Sequence, residues 1–188
     1  MAKTDNRVRY TKKVLKDAIL EILKEKPVDR VTIKELCEKA EINRGTFYLH
    51  YNTPLEVLKE IENDFITEHL AHFSPYMQSS TETGYLQGMF ACILDNGDIC
   101  KILMGKNGDP QMKESLCLAI RDSAVNDWQK EFPEYDREKL EYVFDFVFPG
   151  ATQTVLGWLE NDRGLTVEDL SRRLDRLGHY CHLAIREF

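Results

Sequence analysis

Residues 32–51, TIKELCEKAEINRGTFYLHY, carry the pattern from which the rest of the chain can be read. Thr32 is placed to cap a helix, and Glu35, three positions on, completes the spacing of a capping box. Ile33, Leu36, Cys37 and Ala40 then recur at helical spacing and define one apolar face. The chain turns at Glu41 and Ile42. Asn43, a favoured N-cap, opens a second short helix that sets Arg44, Thr46, Tyr48 and His50 among smaller or apolar positions. Two short helices joined by a tight turn form a helix-turn-helix, and a second helix rich in surface polar groups suits a DNA major groove.

Working outward, Val14, Leu15, Ala18, Ile19, Ile22 and Leu23 predict a supporting helix from Thr11 to Lys26, stopped by Pro27. Residues 1–10 hold Lys3, Arg7 and Arg9 without an apolar period and are expected to be an arm ahead of it. On the other side, Asn52 or Thr53 can cap and Pro54 suits a first helical position. A stripe of Leu55, Leu58, Ile61, Phe65 and Ile66 carries that helix to about His72. It starts in the head and is long enough to end in the body, so it is the expected transmission element. The domain boundary is placed between residues 53 and 54, dividing the chain into 1–53 and 54–188.

In the body, Pro75 and a Ser/Thr-rich run break the pattern over residues 74–83. Short helices are expected at Gly84–Asp95 and Asp98–Met104, a turn at Gly105–Pro110, and long helices from Pro110 to about Phe132 and from Arg137 to Asn161. Pro149 with Gly150 should bend the last of these. Thr166, with Asp169, caps a final helix in which Val167, Leu170, Leu174, Leu177, Cys181, Ala184 and Phe188 are spaced alternately by three and four residues. So narrow a seam asks for a partner helix. No stretch alternates like a strand, so the chain reads as all-α: a three-helix helix-turn-helix head followed by a helical bundle, about nine helices in total.

The overall net charge of −7 hides an asymmetry. Residues 1–53 hold 12 Lys and Arg against 8 Asp and Glu, whereas residues 54–188 hold 13 against 24. A basic head attracts phosphates, and an acidic body keeps the remainder of the molecule off them. Five widely scattered cysteines argue against a disulfide framework and read as reduced thiols. No apolar run approaches the roughly 20 residues of a membrane span. The polar, basic N-terminus does not resemble a secretory signal, so a cytoplasmic location is expected.

Neither a glycine-rich phosphate loop, nor a Gly-x-Ser-x-Gly elbow, nor carboxylates paired in a glycine-rich setting occurs, so no enzyme activity is expected. His179 and His182 could share at most two ligands and Cys181 lies on the seam, so neither a metal nor any other cofactor is expected. On the recognition helix, Asn43, Arg44 and Thr46 are the candidate base readers, Arg44 by a bidentate pair to guanine. Gly45 lets the backbone come close to DNA.

From Thr11 to Leu58 the chain resembles the tetracycline-repressor (TetR/AcrR) family of transcriptional regulators, the likeness resting on TIKELCEKAEINRGTFYLHYNTPLEVL. A weaker likeness covers FPGATQTVLGWLEND and the capped helix after it. The resemblance implies phosphate contacts from Tyr48 and His50, with Thr32 and Lys34 contributing from the preceding helix. It implies a double-stranded operator and an effector, a small molecule or a protein of unknown identity, bound by a body that also dimerises. Candidate pocket residues are Tyr85, Met89, Phe90, Met104, Leu116, Trp128, Tyr142 and Phe146. It further implies homodimers joined through the last two helices of each subunit. The seam suggests the same, with Val155, Trp158, Leu159, Leu170, Leu174, Leu177, Cys181 and Ala184 as candidates. The expected function is therefore a ligand-responsive repressor on a pseudo-palindromic operator. The alternatives are a regulator or co-activator controlled by a partner protein without a small-molecule pocket, or, more remotely, a small helical enzyme or metal-binding protein. The sequence departs from the family at Glu41, where Gly is usual, and at Pro54, where Lys is usual.

Overall fold

The computed structural model describes residues 2–77, 91, 93–162 and 164–184, with side chains from Asn6 onward apart from those of residues 69–77 and 182. The described residues contain helices and connecting turns and no strand. They pack as two compact units, residues 1–65 with 102–112, and residues 66–101 with 113–188.

The first unit begins with α1, Ala2–Leu23. Residues 2–10 are thus helical rather than an arm: they contain neither Gly nor Pro, and extending an existing helix backward costs little once its nucleus is formed. A single 3-10 turn, Val28–Arg30, leads to α2, Ile33–Lys39, and α3, Arg44–Tyr48. α4, Pro54–Met77, carries this unit as far as Phe65 and then enters the second. α4 therefore passes about five residues beyond the expected end. Pro75 falls in its last turn, where the missing N–H leaves only one carbonyl unbonded before the helix stops. Leu15, Ile19, Leu23, Leu36, Phe47 and Leu58 are fully buried at the centre, each contributing about 2 kcal/mol by leaving water.

The return segment 102–112 is bound to the same unit. Asn107 accepts a backbone bond from Val28 N at 3.1 Å, and its Nδ2 donates to Leu23 O at 2.9 Å, satisfying a carbonyl in the last turn of α1. Lys59 Nζ bridges Asp109 and Glu62. At Gly108 a Cβ would lie 2.2 Å from Leu103 O, so only glycine allows this turn.

After α4, the described residues of the second unit form α5, Gly97–Leu103, whose last two residues belong to the first unit, α6, Met112–Glu131, α7, Arg137–Glu160, and α8, Val167–Ala184. Ion pairs and hydrogen bonds join α6 and α7 as antiparallel neighbours: Lys113 donates to Gln153 and Arg137 to Asn126, while Arg121 pairs with Asp145 and Glu141 and Arg137 with Asp122. Beneath them Phe144 stacks on Phe148 at 5.0 Å between centroids and lies 5.9 Å from Trp128. α7 continues through Pro149, which sits on the exposed side where water can take up the orphaned carbonyl. The Thr152 hydroxyl, buried one turn later, is satisfied by Phe148 O at 2.8 Å.

The structure departs from the sequence pattern at three further places. Glu35 does not close a capping box: Thr32 Oγ1 accepts from Glu35 N at 3.2 Å, but the Glu35 carboxylate turns to Lys26 Nζ. The seam on α8 does not wait wholly for another chain, because Leu170 and Leu174 are buried within this one while Leu177 and Ala184 are exposed. A narrow helix seam cannot reveal whether its partner belongs to the same chain. Tyr142 and Phe146 do not line an interior, being 67% and 74% exposed on the outer side of α7. Of the remaining pocket candidates, Met104 is buried in the first unit and Leu116 and Trp128 in the second. Tyr85, Met89, Phe90 and Phe188 lie outside the described residues.

Candidate nucleic-acid interface

The α2–α3 pair is built by two caps and one unusual turn. Thr32 starts α2, and Asn43 Oδ1 starts α3 by accepting from Thr46 N at 2.7 Å and from the Thr46 hydroxyl at 3.1 Å. Between them Glu41 holds φ at +55°, in the left-handed region where glycine is usual. The turn is tight because Ala40 N returns to Leu36 O at 2.9 Å and Ile42 N to Cys37 O at 3.0 Å. These bonds leave Glu41 no ordinary helical conformation to adopt.

Phe47 anchors α3 from below, fully buried, with Tyr48 edge-on at 5.6 Å between centroids and Tyr51 at 6.1 Å. Its burial decides which residues face out. Arg44, Gly45, Tyr48 and Leu49 form the outer face, while Thr46 and His50 are half-buried at its edges. Thr32 and Lys34 are exposed on α2, and Lys34 is held only loosely by Glu38 at 3.8 Å. All eight DNA-facing candidates are therefore at least partly accessible to solvent, borne on α2, α3 and the residues that flank them. Asn43 differs from the others because its carbonyl oxygen is committed to the cap, leaving the amide to serve as a donor.

Two features of the interface lie outside the residue pattern. Leu49, an apolar residue to which the residue pattern assigns no role, is the most exposed large apolar side chain among the described residues, at 79%. The signal that could have located it is its spacing, four residues beyond Gly45 and five beyond Arg44. The start of α4 is the other. Glu56 accepts from Asn52 N at 2.7 Å, and Thr53 Oγ1 accepts from Glu56 N at 3.3 Å. The Glu56 carboxylate thus takes up Asn52 N and adds negative charge beside Pro54 at the start of α4.

The interface rests on a charged support between α1 and α4. Glu60 accepts from Lys12 and Lys16, each at 2.8 Å, and from Tyr51 Oη at 3.0 Å. Burial works against its charged form, but these three donors prevail and hold the carboxyl down at about 2. Burial, reinforced by Glu60, pushes the Tyr51 hydroxyl well up, so it remains a donor at every working pH. Burial likewise raises the thiols of Cys37, Cys117 and Cys181, which disfavours their reactive thiolate form. Among the described residues no three His, Cys, Asp or Glu side chains group to hold a metal, and no helix is long and apolar enough to cross a membrane.

Residues 15–61 match the description "Bacterial regulatory proteins, tetR family", and residues 80–180, more than half of the chain, match "Transcriptional regulator C-terminal region". The uncharacterized HTH-type transcriptional regulator YxbF of Bacillus subtilis (strain 168) is 34% identical over 50 residues, 27% of this chain and 13% of that protein. Two crystal structures share the fold. A TetR/AcrR-type regulator from Aquifex aeolicus VF5 has a TM-score of 0.61 at 17% identity, covering 88% of this chain and 96% of its own. A TetR regulator from Streptococcus agalactiae 2603V has a TM-score of 0.61 at 21% identity, covering 94% and 98%. Family models spanning both units, with a helix-turn-helix whose polar face is turned outward, establish that the chain belongs to the TetR family of DNA-binding transcriptional regulators, which are not enzymes.

Proposed function

We propose that the protein is an effector-responsive repressor that binds a pseudo-palindromic operator as a cytoplasmic homodimer. The observation that carries the DNA reading is the outer face of α3, where Arg44 and Tyr48 point to solvent while Phe47 fixes the helix from beneath. Arg44 reads guanine, Thr46 meets a thymine methyl or a phosphate, and Tyr48, His50, Thr32 and Lys34 hold the backbone on either side. Gly45 keeps the helix axis close to the groove floor.

Dimerisation is supported by exposed apolar residues on the last two helices, Tyr142 and Phe146 on α7 with Leu177 and Tyr180 on α8. Isolated exposed apolar residues are common, but a spacing of four or three along each helix makes these stripes. Of the candidates read from sequence, Leu177, Cys181 and Ala184 remain available to a partner chain. Val155, Leu170 and Leu174 serve this chain's own core, and Trp158 is tied to Leu165 O at 2.9 Å. Control runs through α4, one continuous helix whose residues belong to both units. An effector that binds one setting of that helix better than another shifts the two heads out of operator spacing. A protein effector is the second reading, favoured by the packing of buried Trp128, Phe144 and Phe148 against one another in the second unit.

Binding to duplexes from the DNA upstream of its own gene, measured at several salt concentrations, tests the reading. A specific site should bind at least about a thousandfold tighter than scrambled duplex. Arg44→Ala should erase most of that ratio, and Lys34→Ala should flatten the salt dependence by about one phosphate contact per subunit. A wild-type protein that binds every duplex alike is not a sequence-specific repressor.

A further inference from the structure

The outer face of α3 ends in a side chain that no phosphate contact can use. Leu49 is 79% exposed, more than any other large apolar side chain among the described residues, and it lies beside the groups that face DNA. It has neither donor nor acceptor, so it makes no hydrogen bond to phosphates or to the polar edges of bases. An aliphatic group in a major groove has one complementary partner, the 5-methyl group of thymine.

The backbone aims Leu49 at such a partner. Its φ and ψ of −72° and −16° continue the turn of α3. A helical Cα–Cβ bond tilts toward the helix N-terminus, so the leucine methyls lean over the preceding turn. The residue four positions back is Gly45, which offers no side chain to fill that space. A Cβ there would meet only Asn43 Oδ1, at 3.2 Å, so the outward side is open. From Arg44 to Leu49 the helix rises roughly 7.5 Å. For a helix lying in the major groove that length is comparable to about two base-pair steps.

We propose that Leu49 is a specificity-determining residue that reads the methyl group of a thymine about two base pairs from the guanine bound by Arg44. The inference rests on the operator reading above and adds a base to it. The bare backbone at Gly45 and the aliphatic cap at Leu49 act together: the first brings the helix close, and the second rewards a methyl group in the space left open.

The test starts from duplexes that the wild-type protein selects out of a random library, with a parallel selection by Arg44→Ala to mark the guanine. Each thymine of the selected half-site is then replaced singly by deoxyuridine, which differs only in lacking the methyl group. One thymine, about two base pairs from the marked guanine, should become about fourfold costlier for the wild type to bind without its methyl. Leu49→Ala should be indifferent to that replacement, and Leu49→Met should keep part of the sensitivity. Thermal melting of each variant checks its fold, which truncation of so exposed a side chain should leave intact. If no thymine is sensitive in the wild type, or if Leu49→Ala shows the same penalty, the inference is wrong and the operator reading stands. If the wild type selects no sequence at all, both fall.

Discussion

Tyr51 Oη donates to Glu60 Oε2 at 3.0 Å, joining the residue that closes the recognition segment to the helix that leaves it. The same carboxylate receives Lys12 and Lys16 from α1, so three elements of the first unit converge on one charge. Its folded value of about 2 lies below the ordinary 4.5. A depressed carboxylate contributes stability that is present above pH 4.5 and lost as pH falls toward 2. Glu60→Gln should cost about 1–2 kcal/mol in urea unfolding at pH 7. The difference from wild type should close between pH 4.5 and 2, and a variant equally destabilised at every pH would refute this role for the charge.

Glu62, two residues further along α4, should behave in the opposite sense. It is 2% exposed, Lys59 is shared between it and Asp109, and its Oε1 has no hydrogen-bond partner. Burial raises its pKa above 4.5, only partly offset by Lys59. A raised folded value means stability that is full below pH 4.5 and declines as pH rises through the elevated value. Glu62→Gln should therefore raise stability by about 1 kcal/mol at pH 8 and change little at pH 4. Lys59→Met should cost about 2–3 kcal/mol at pH 8, because it strands two buried carboxylates. Thermal melts across that pH range separate the two variants.

Glu41 occupies a left-handed conformation at φ +55° that a side chain disfavours. Glu41→Gly should stabilise the protein by about 0.5–1 kcal/mol, the relief of strain exceeding the extra freedom of the unfolded chain. Glu41→Ala should give no such gain. Urea midpoints of the three proteins decide it.

Tyr142→Glu with Phe146→Glu places two charges on the exposed face of α7 without touching the packed core. If that face joins two subunits, dimer affinity should fall by about thirtyfold or more. Sedimentation over a range of concentrations reads this directly, with circular dichroism as the control for folding. An unchanged sedimentation profile would remove this face from the interface.

The sequence by itself determined the local structure around residues 32–51. Thr32 and Asn43 announce two caps, the apolar period of α2 sets its inner side, and the run that contains them resembles the family. These features are legible because each is fixed by neighbours within one or two helical turns. Only the tertiary structure decided the rest. That Glu35 would leave its cap for Lys26, that the 102–112 segment would join the first unit through Asn107 and Asp109, and that Leu170 and Leu174 would be buried by their own chain all depend on residues distant in sequence. The periodicity of α7 shows that it is strongly apolar but not which side is covered, and Tyr142 and Phe146, candidates for an interior, lie on its exposed side. An apolar side chain has the same signature in sequence whether it meets its own core, another subunit or a thymine methyl; packing alone distinguishes them.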